Sequence, residues 1–449
     1  MSGKTETEYL ILGLGITGLS VARYLAQQQR SFAIADTRLH PPGLKAFEEA
    51  FPDAEIWLGP LDPELLCQAA HLVVSPGVSL EEPAIQQAKA EGVELLGDIE
   101  LFSRAARKPV LAITGSNAKS TVTTLVGELA ASQGLQVAVG GNIGVPALDL
   151  LAAPDPDLYV LELSSFQLET TSSLKAQGAA LLNISEDHLD RYASMDDYVF
   201  AKQRIFHHAR HVIFSREDER TRPIHGQLAT PISFGLDQPP GEKDLGLRVE
   251  AGQTWIAQGK QLLFTLDTVP LAGEHGLLNV LAALALLTAA AIPLADLAPA
   301  IRRFQSLPHR CQKIASKQGV DYINDSKATN LGAALAAIQG LNQSYAKLWL
   351  IMGGEGKGQD FSSLNQALQA PVAGIALIGR DANLLAEHLP IGLPSWKADS
   401  LSEAVKLLAE QAKEGDAVLL APACASFDQF TSYAERGEVF VQCVQHLPA

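Results

Sequence analysis

Ile113-Thr114-Gly115-Ser116-Asn117-Ala118-Lys119-Ser120-Thr121 joins an apolar run to a helix, and its reading decides what kind of chain this is. Pro109-Val110-Leu111-Ala112 leads into it and reads, with Ile113, as a buried strand. After it, Val122, Leu125, Val126 and Leu129 recur at helical spacing. A strand-to-helix loop points backbone N–H groups outward at the partly positive helix start, and Lys119 adds a full charge, so the segment suits phosphate. Gly115, Ser116, Asn117, Ala118, Lys119, Ser120 and Thr121 are therefore the candidate nucleotide contacts. Ser120 stands where a hydroxyl ligates the Mg²⁺ that accompanies a nucleotide. The P-loop pattern is incomplete, with Ala118 before the lysine and Ile113 at the earlier position where glycine is expected. Ala118 fits without strain only if its φ is negative. The alternative is an ordinary turn with a surface lysine.

A chain of 449 residues, 47% of them apolar, has material for about three domains. A net charge of −16 argues against a nucleic-acid partner or an anionic membrane surface, so any phosphate site must be a small local pocket. Cys67, Cys311, Cys424 and Cys443 have no metal-ligand spacing and read as reduced thiols. Met1 to Glu8 carries no apolar signal region. Leu277 to Pro293 is alanine-rich and short for a bilayer, so it reads as a packed helix rather than a membrane insertion. The expected location is the cytoplasm, and the expected state a monomer.

The chain begins with Tyr9-Leu10-Ile11-Leu12, a strand, then Gly13-Leu14-Gly15-Ile16-Thr17-Gly18 and a helix, then a second strand ending at Asp36-Thr37-Arg38. This β-α-β start carries the glycine fingerprint that brings backbone up to a phosphate, with Asp36 where a ribose contact would be. Further α/β units follow, with strands at Val137–Val139, Leu158–Leu161 and Ala179–Leu182, and at Val320–Ile323, Leu348–Ile351, Gly374–Ile378 and Ala417–Leu420. Between Ser215 and Gln261 the composition predicts loops and short antiparallel strands; a helix after Gly276 closes that region. The fold class is α/β in three domains: Rossmann-like 1–97, a central P-loop ATPase-like domain with a mostly parallel sheet at 98–306, and a Rossmann-like α/β domain at 307–449.

Polar residues gather at the ends of these strands. Glu162 ends one, beyond the phosphate loop, where a carboxylate commonly holds Mg²⁺; the alternative is an acid satisfying a helix start. Asn183-Ile184-Ser185-Glu186-Asp187-His188-Leu189-Asp190-Arg191 crowds acids and bases at the next, and His188 there is an unusual Mg²⁺ ligand. Tyr198, Lys202 and Ile205 share one face of a helix predicted over 196–207, so Lys202 lies on an apolar face. It is either a snorkelling lysine or a reactive neutral amine. In the third unit, Asn324 to Asn330, Gly353 to Gly358 and Pro422 to Asp428 each follow a strand, and jointly they suggest a cleft between domains. Phosphate loop, carboxylates and a second basic cleft point to a ligase or kinase, with an ATP-driven switch or motor as the other class.

Thr114 to Thr121, Gly140-Gly141-Asn142-Ile143-Gly144, Glu162-Leu163-Ser164-Ser165-Phe166-Gln167-Leu168, Glu186 to Tyr192, Asn324 to Asn330 and Ala421 to Phe430 together resemble the Mur ligase family over essentially the whole chain. The Ser164 to Glu169 and Pro422 to Phe430 runs point to its D-glutamate-adding branch. The resemblance implies an ATP-dependent ligase that adds D-glutamate to UDP-N-acetylmuramoyl-L-alanine through an acyl phosphate, in peptidoglycan precursor synthesis. An ATP-gated binding module, a sibling Mur ligase and a folylpolyglutamate-type ligase remain as alternatives. It implies that Thr17, Asp36, Thr37, Arg38, Ser75 and Gly77 bind UDP, and that Asn142 and Ser164 border the substrate. Lys119, Glu162, His188 and Lys202 would be the catalytic set; Ser120, Glu162, His188 and a carbamylated Lys202 would hold two Mg²⁺ ions. Asn279, Arg310, Asp325 and Lys327 would contact the adenine nucleotide. Thr329, Lys357, Ser426 and Phe427 would form the D-glutamate pocket, with Tyr433 nearby where a plain phenyl ring is expected. Gly276 replaces the asparagine frequent after the residue matching His275, which removes one nucleotide contact.

Overall fold

The computed structural model describes residues 7–448 apart from 153, 190, 225–228, 270–272, 306, 343 and 369–371. Asp190, in the acid-rich run, thus lies outside the described residues. The chain divides into two compact units. One holds the residues through Leu182 with Tyr198–Leu263 and Leu281–Leu297; the other holds Asn183–Asp197, Phe264–Val280 and the chain from Ala298 onward.

The first unit contains two sheets. Five parallel strands run in the order Ile56–Leu58, Phe32–Asp36, Tyr9–Leu12, His71–Val74, Glu94–Leu96. The order reverses at Tyr9–Leu12, and the crevice beyond its carboxyl end is where such sheets bind ligands. Two glycines of the fingerprint have visible reasons. A Cβ on Gly18 would lie 2.1 Å from the Gly13 carbonyl oxygen, so only glycine lets the Ile16–Gln27 helix seat on the strand. Gly13 takes φ +98 and packs against Ser75, whose hydroxyl donates to the Gly13 carbonyl at 3.2 Å.

The second sheet has nine strands. Toward one side of it Val110–Thr114 lies between Gly178–Leu181 and Leu158–Glu162, all parallel, with Val137–Gly141 at the edge. Every residue of the Val110–Thr114 and Leu158–Glu162 strands is buried, which explains runs of apolar residues without alternation. In the region predicted to hold short antiparallel strands, Leu245–Glu250 and Gln253–Gln258 do pair antiparallel. Thr230–Phe234, however, extends the sheet in parallel beside His211–Ser215. The helix predicted over 196–207 runs Met195–Gln203 and tightens into a single 3₁₀ turn at Arg204–Phe206. The Gly273–Ala289 helix contains Gly276 rather than following it.

The third sheet, in the second unit, has six strands in the order Gln312–Lys317, Val320–Asn324, Ala417–Leu420, Leu348–Gly353, Val372–Ile378, Ser395–Lys397. Only the Gln312–Lys317 pairing is antiparallel among those recorded. Apolar clusters cover both faces, one built on Leu348, Leu350 and Leu419, the other on Trp349, Ile351 and Val418. The alternation within one strand feeds both clusters. The carboxyl ends deliver the 325–330, 354–358 and 421–428 loops.

Candidate active site

In the Gly115 to Thr121 loop Ala118 adopts φ +65, the left-handed region, so the condition that its φ be negative is not met. An alanine there is strained by roughly 1–2 kcal/mol because its Cβ crowds the backbone. The sharp turn starts the Lys119–Ser132 helix immediately after it, with Ser120 and Thr121 buried in the first turn. Lys119 Nζ donates to the carbonyls of Gly115 at 2.9 Å and Ser116 at 3.0 Å. Lys202, 2% exposed, also donates to the Gly115 carbonyl, at 2.8 Å. Its Nζ stands 4.7 Å from the Tyr198 ring centroid, and the Tyr198 hydroxyl lies 3.1 Å from Ser116 Oγ. Two ammonium groups therefore converge on one carbonyl oxygen.

Glu162, 3% exposed, sits on the strand beside the loop-bearing one. Its Oε1 accepts from Asn142 Nδ2 at 2.9 Å, while Oε2 is buried without a hydrogen-bond partner. Thr114 Oγ1 is likewise buried and unpaired. An orphaned carboxylate oxygen beyond a phosphate loop is the donor type Mg²⁺ takes, so the residues present fit that ion. Among the described residues no three His, Cys, Asp or Glu side chains converge, so the ligand set would mix Glu162 with the Ser120 hydroxyl. Asn142 orients Glu162. Ser164 caps the Ser165–Glu169 helix and forms a reciprocal capping box with Gln167.

Toward the amino end of the same unit, Asp36 is 3% exposed and accepts from Leu14 N at 2.7 Å and from Arg38 N, Nε and Nη2 at 2.7–2.9 Å. Burial raises its carboxyl, but these bonds prevail and hold it below the ordinary range. Asp36 thus braces Arg38, whose side chain is half exposed. Thr37 and Gly77 are exposed, Thr17 and Ser75 half-buried.

The second unit assembles a separate cluster. Lys357 Nζ meets Asp187 Oδ1 at 2.5 Å, Asn330 Nδ2 donates to Asp187 Oδ2 at 3.2 Å, and His188 Nε2 stands 3.6 Å from it. Burial alone would raise the Asp187 carboxyl, yet Lys357, His188 and Asn330 bring it down to about 2. Asp325 behaves oppositely, pushed up to about 6 by burial against the pull of the Cys311 N–H and Arg310. Lys327 Nζ lies 4.0 Å above the Tyr433 ring, which His309 meets edge-on. Ser426 is buried and Phe427 70% exposed; Thr329, Arg310 and Asn279 are half-buried.

Arg436 was not singled out from sequence. It is 1% exposed and donates to Ser326 Oγ and O, to the Cys424 carbonyl and to Ala425 O, tying the 325–330 loop to the 421–428 loop. Burial lowers the guanidinium to about 10. The available signal was an arginine in line with Gly437, Phe440 and Val444 on the buried face of the last helix.

Three family models cover the chain: Mur ligase MurD-like N-terminal domain at residues 7–97, Mur ligase middle domain at 113–287, and Mur ligase glutamate ligase domain at 309–424. The chain belongs to the Mur ligase family. A Mur ligase of Pseudomonas syringae pv. tomato, named UDP-N-acetylmuramoylalanine–D-glutamate ligase, is 51% identical over 98% of both chains. The Pseudomonas aeruginosa protein of the same name is 50% identical over the same share of each. Among solved Mur ligases, the UDP-N-acetylmuramate-alanine ligase MurC of Thermotoga maritima superposes with TM-score 0.61 at 18% identity, over 98% of this chain and 99% of its own. That likeness extends the three-domain α/β architecture expected of a Mur ligase to this chain.

Proposed function

We propose that this Mur ligase joins D-glutamate to UDP-N-acetylmuramoyl-L-alanine at the expense of ATP, in the cytoplasmic assembly of peptidoglycan precursors. The observation that carries this is full-length identity near one half to ligases of that name. When bound, ATP with Mg²⁺ supplies the phosphoryl group that turns a poor electrophile, the substrate carboxylate, into an acyl phosphate. The amine of D-glutamate attacks that carbonyl, a C–N bond forms and phosphate leaves. Two anions meet in this step, so the protein's part is to screen and align them.

In this reading Lys119, the loop from Gly115 to Thr121 and the helix start hold phosphates. Ser120, Glu162, His188 and a carbamylated Lys202 ligate two Mg²⁺ ions. Thr17, Asp36, Thr37, Arg38, Ser75 and Gly77 take the UDP group, Asn142 and Ser164 border the acceptor carboxylate, and Asn279, Arg310, Asp325 and Lys327 take the adenine nucleotide. Thr329, Lys357, Ser426, Phe427 and Tyr433 receive D-glutamate. The domains run 1–97, 98–306 and 307–449, and the chain acts as a monomer. The orphaned Glu162 oxygen and the paired lysines on Gly115 support the metal and phosphate assignments. No helix among the described residues is long and apolar enough to cross a membrane.

Purified protein with ATP, Mg²⁺ and UDP-N-acetylmuramoyl-L-alanine should release phosphate only when D-glutamate is added. Release with a different amino acid and not with D-glutamate would assign the chain to another acceptor. ATP turnover indifferent to any acceptor would overturn the ligase reading.

A further inference from the structure

Directly after the first sheet, Gly97 opens the Asp98–Ala105 helix, which carries two acids inward. Asp98 is 3% exposed and Glu100 1%. Both grip the segment that follows Glu162. Asp98 Oδ2 accepts from Gln167 Nε2 at 3.0 Å, and Glu100 Oε2 accepts the N–H groups of Ser172 and Ser173 at 2.8 and 2.9 Å. A Cβ on Gly97 would lie 2.1 Å from Thr170 Oγ1, so the two segments touch at backbone distance. None of these residues has a place in the reaction described above.

Gln167 is the centre of the contact. Its Oε1 accepts from Ser164 N at 3.0 Å and Ser164 Oγ at 3.2 Å, and its own N–H bonds Ser164 Oγ at 3.2 Å. A side-chain amide has an accepting and a donating end of nearly the same shape, so what meets one end decides what the other can do. An ionised carboxylate only accepts. With Asp98 on one side, the NH₂ must face it and the carbonyl must face Ser164. Burial pushes the Asp98 carboxyl up to about 6, and its Oδ1 is buried without a partner. An asparagine could accept the same bond without burying a charge, but it could equally turn its NH₂ toward Gln167, so only the carboxylate fixes the direction of the link.

We propose that Asp98 is a positioning residue: by fixing which end of the Gln167 amide faces Ser164, it sets the turn two residues beyond Glu162 in the orientation the ligation needs. The assignment rests on the reading that Glu162 and Ser164 serve that reaction. It couples the segment leaving the first sheet to the strand end of the second.

The test is a swapped pair. Above the pH at which the pair can share a proton, Gln167→Glu sets two carboxylates against each other, while Asp98→Asn with Gln167→Glu keeps both the Ser164 contacts and the link, with donor and acceptor exchanged. In the D-glutamate-dependent assay at about pH 9.5, where the pair cannot hold a shared proton, Gln167→Glu should lose about tenfold or more in kcat relative to wild type at the same pH, the scale on which small misplacements act, and the double variant should recover most of it. KM for D-glutamate should stay unchanged throughout, which a general structural defect would not allow. Mg²⁺-dependent binding of ADP, read by calorimetry without acceptor, should weaken in Gln167→Glu and return in the double variant. Wild-type kcat in Gln167→Glu, or a double variant no better than the single at equal thermal stability, overturns the proposal. A wild-type protein silent with D-glutamate overturns the ligase reading instead, and the ADP binding series then decides the role of Asp98 alone.

Discussion

Lys202 shows how one residue can look wrong until its neighbours are placed. A lysine on an apolar helix face is ordinarily a snorkeller, yet this one is buried and spends its ammonium on the Gly115 carbonyl beside Lys119. Lys202→Ala should abolish ligation, and short carboxylates such as acetate should restore part of it by standing in for the proposed carbamate; full activity without rescue would remove Lys202 from the proposed site. Ala118 is the second case. Its left-handed φ is strained for alanine and natural for glycine. Ala118→Gly should raise the unfolding free energy by up to about 1 kcal/mol, read as a higher denaturant midpoint at unchanged slope, since glycine also caps helices better than alanine. A lowered midpoint would show that the turn gains something from the methyl group.

At the scale of elements, the first sheet separates two glycines that look equivalent in sequence. Gly18 has no room for a Cβ, whereas a Cβ on Gly15 meets nothing within 4 Å. Gly18→Ala should therefore destabilise by roughly 1–3 kcal/mol as the helix lifts from its strand, and Gly15→Ala should change thermal stability little. The buried central strands were legible because both faces are covered and nothing interrupts the apolar run. Thr230–Phe234 was not, since Pro231 and a polar flank read as loop while the parallel partner lies far back in the chain. The edge strand Ser395–Lys397 is short, and Gln312–Lys317, though six residues long, has no buried position, so neither carries an apolar signature. Glu162 and Lys119 could be marked as candidates from position alone. Arg436, Gln167 and Asp98 could not, because their partners are backbone and amide groups brought together only by folding.

Across the whole molecule, charge is arranged in opposing titrations. Asp187 holds its proton less readily folded than unfolded, so its contribution, about 2 kcal/mol, is complete above about pH 4 and is lost as pH falls toward 2. Asp325 holds its proton more readily folded, up to about pH 6, and therefore favours the folded state progressively as pH drops from about 6 toward 4. His211, His275 and His309, lowered by burial, work against folding below their ordinary range. The response of the wild type alone is thus a cancellation, and a difference isolates one part of it. Asp325→Asn should gain on the wild type by about 2–3 kcal/mol between pH 4 and pH 8 in urea unfolding. A difference that does not vary with pH would contradict the raised carboxyl.

The carbonyl of Gly115, shared by Lys119 and Lys202, bears finally on turnover. On the proposed reading the loop carries its own surrogate for the phosphate it would hold. A nucleotide that docks exchanges one set of bonds for another, so part of its attraction is cancelled in advance. On the proposed reading the same exchange runs in reverse when ADP and phosphate depart, because Lys119 returns to the Gly115 and Ser116 carbonyls. Tight grip is traded for quick exit, which suits an enzyme that must clear two charged products in every cycle.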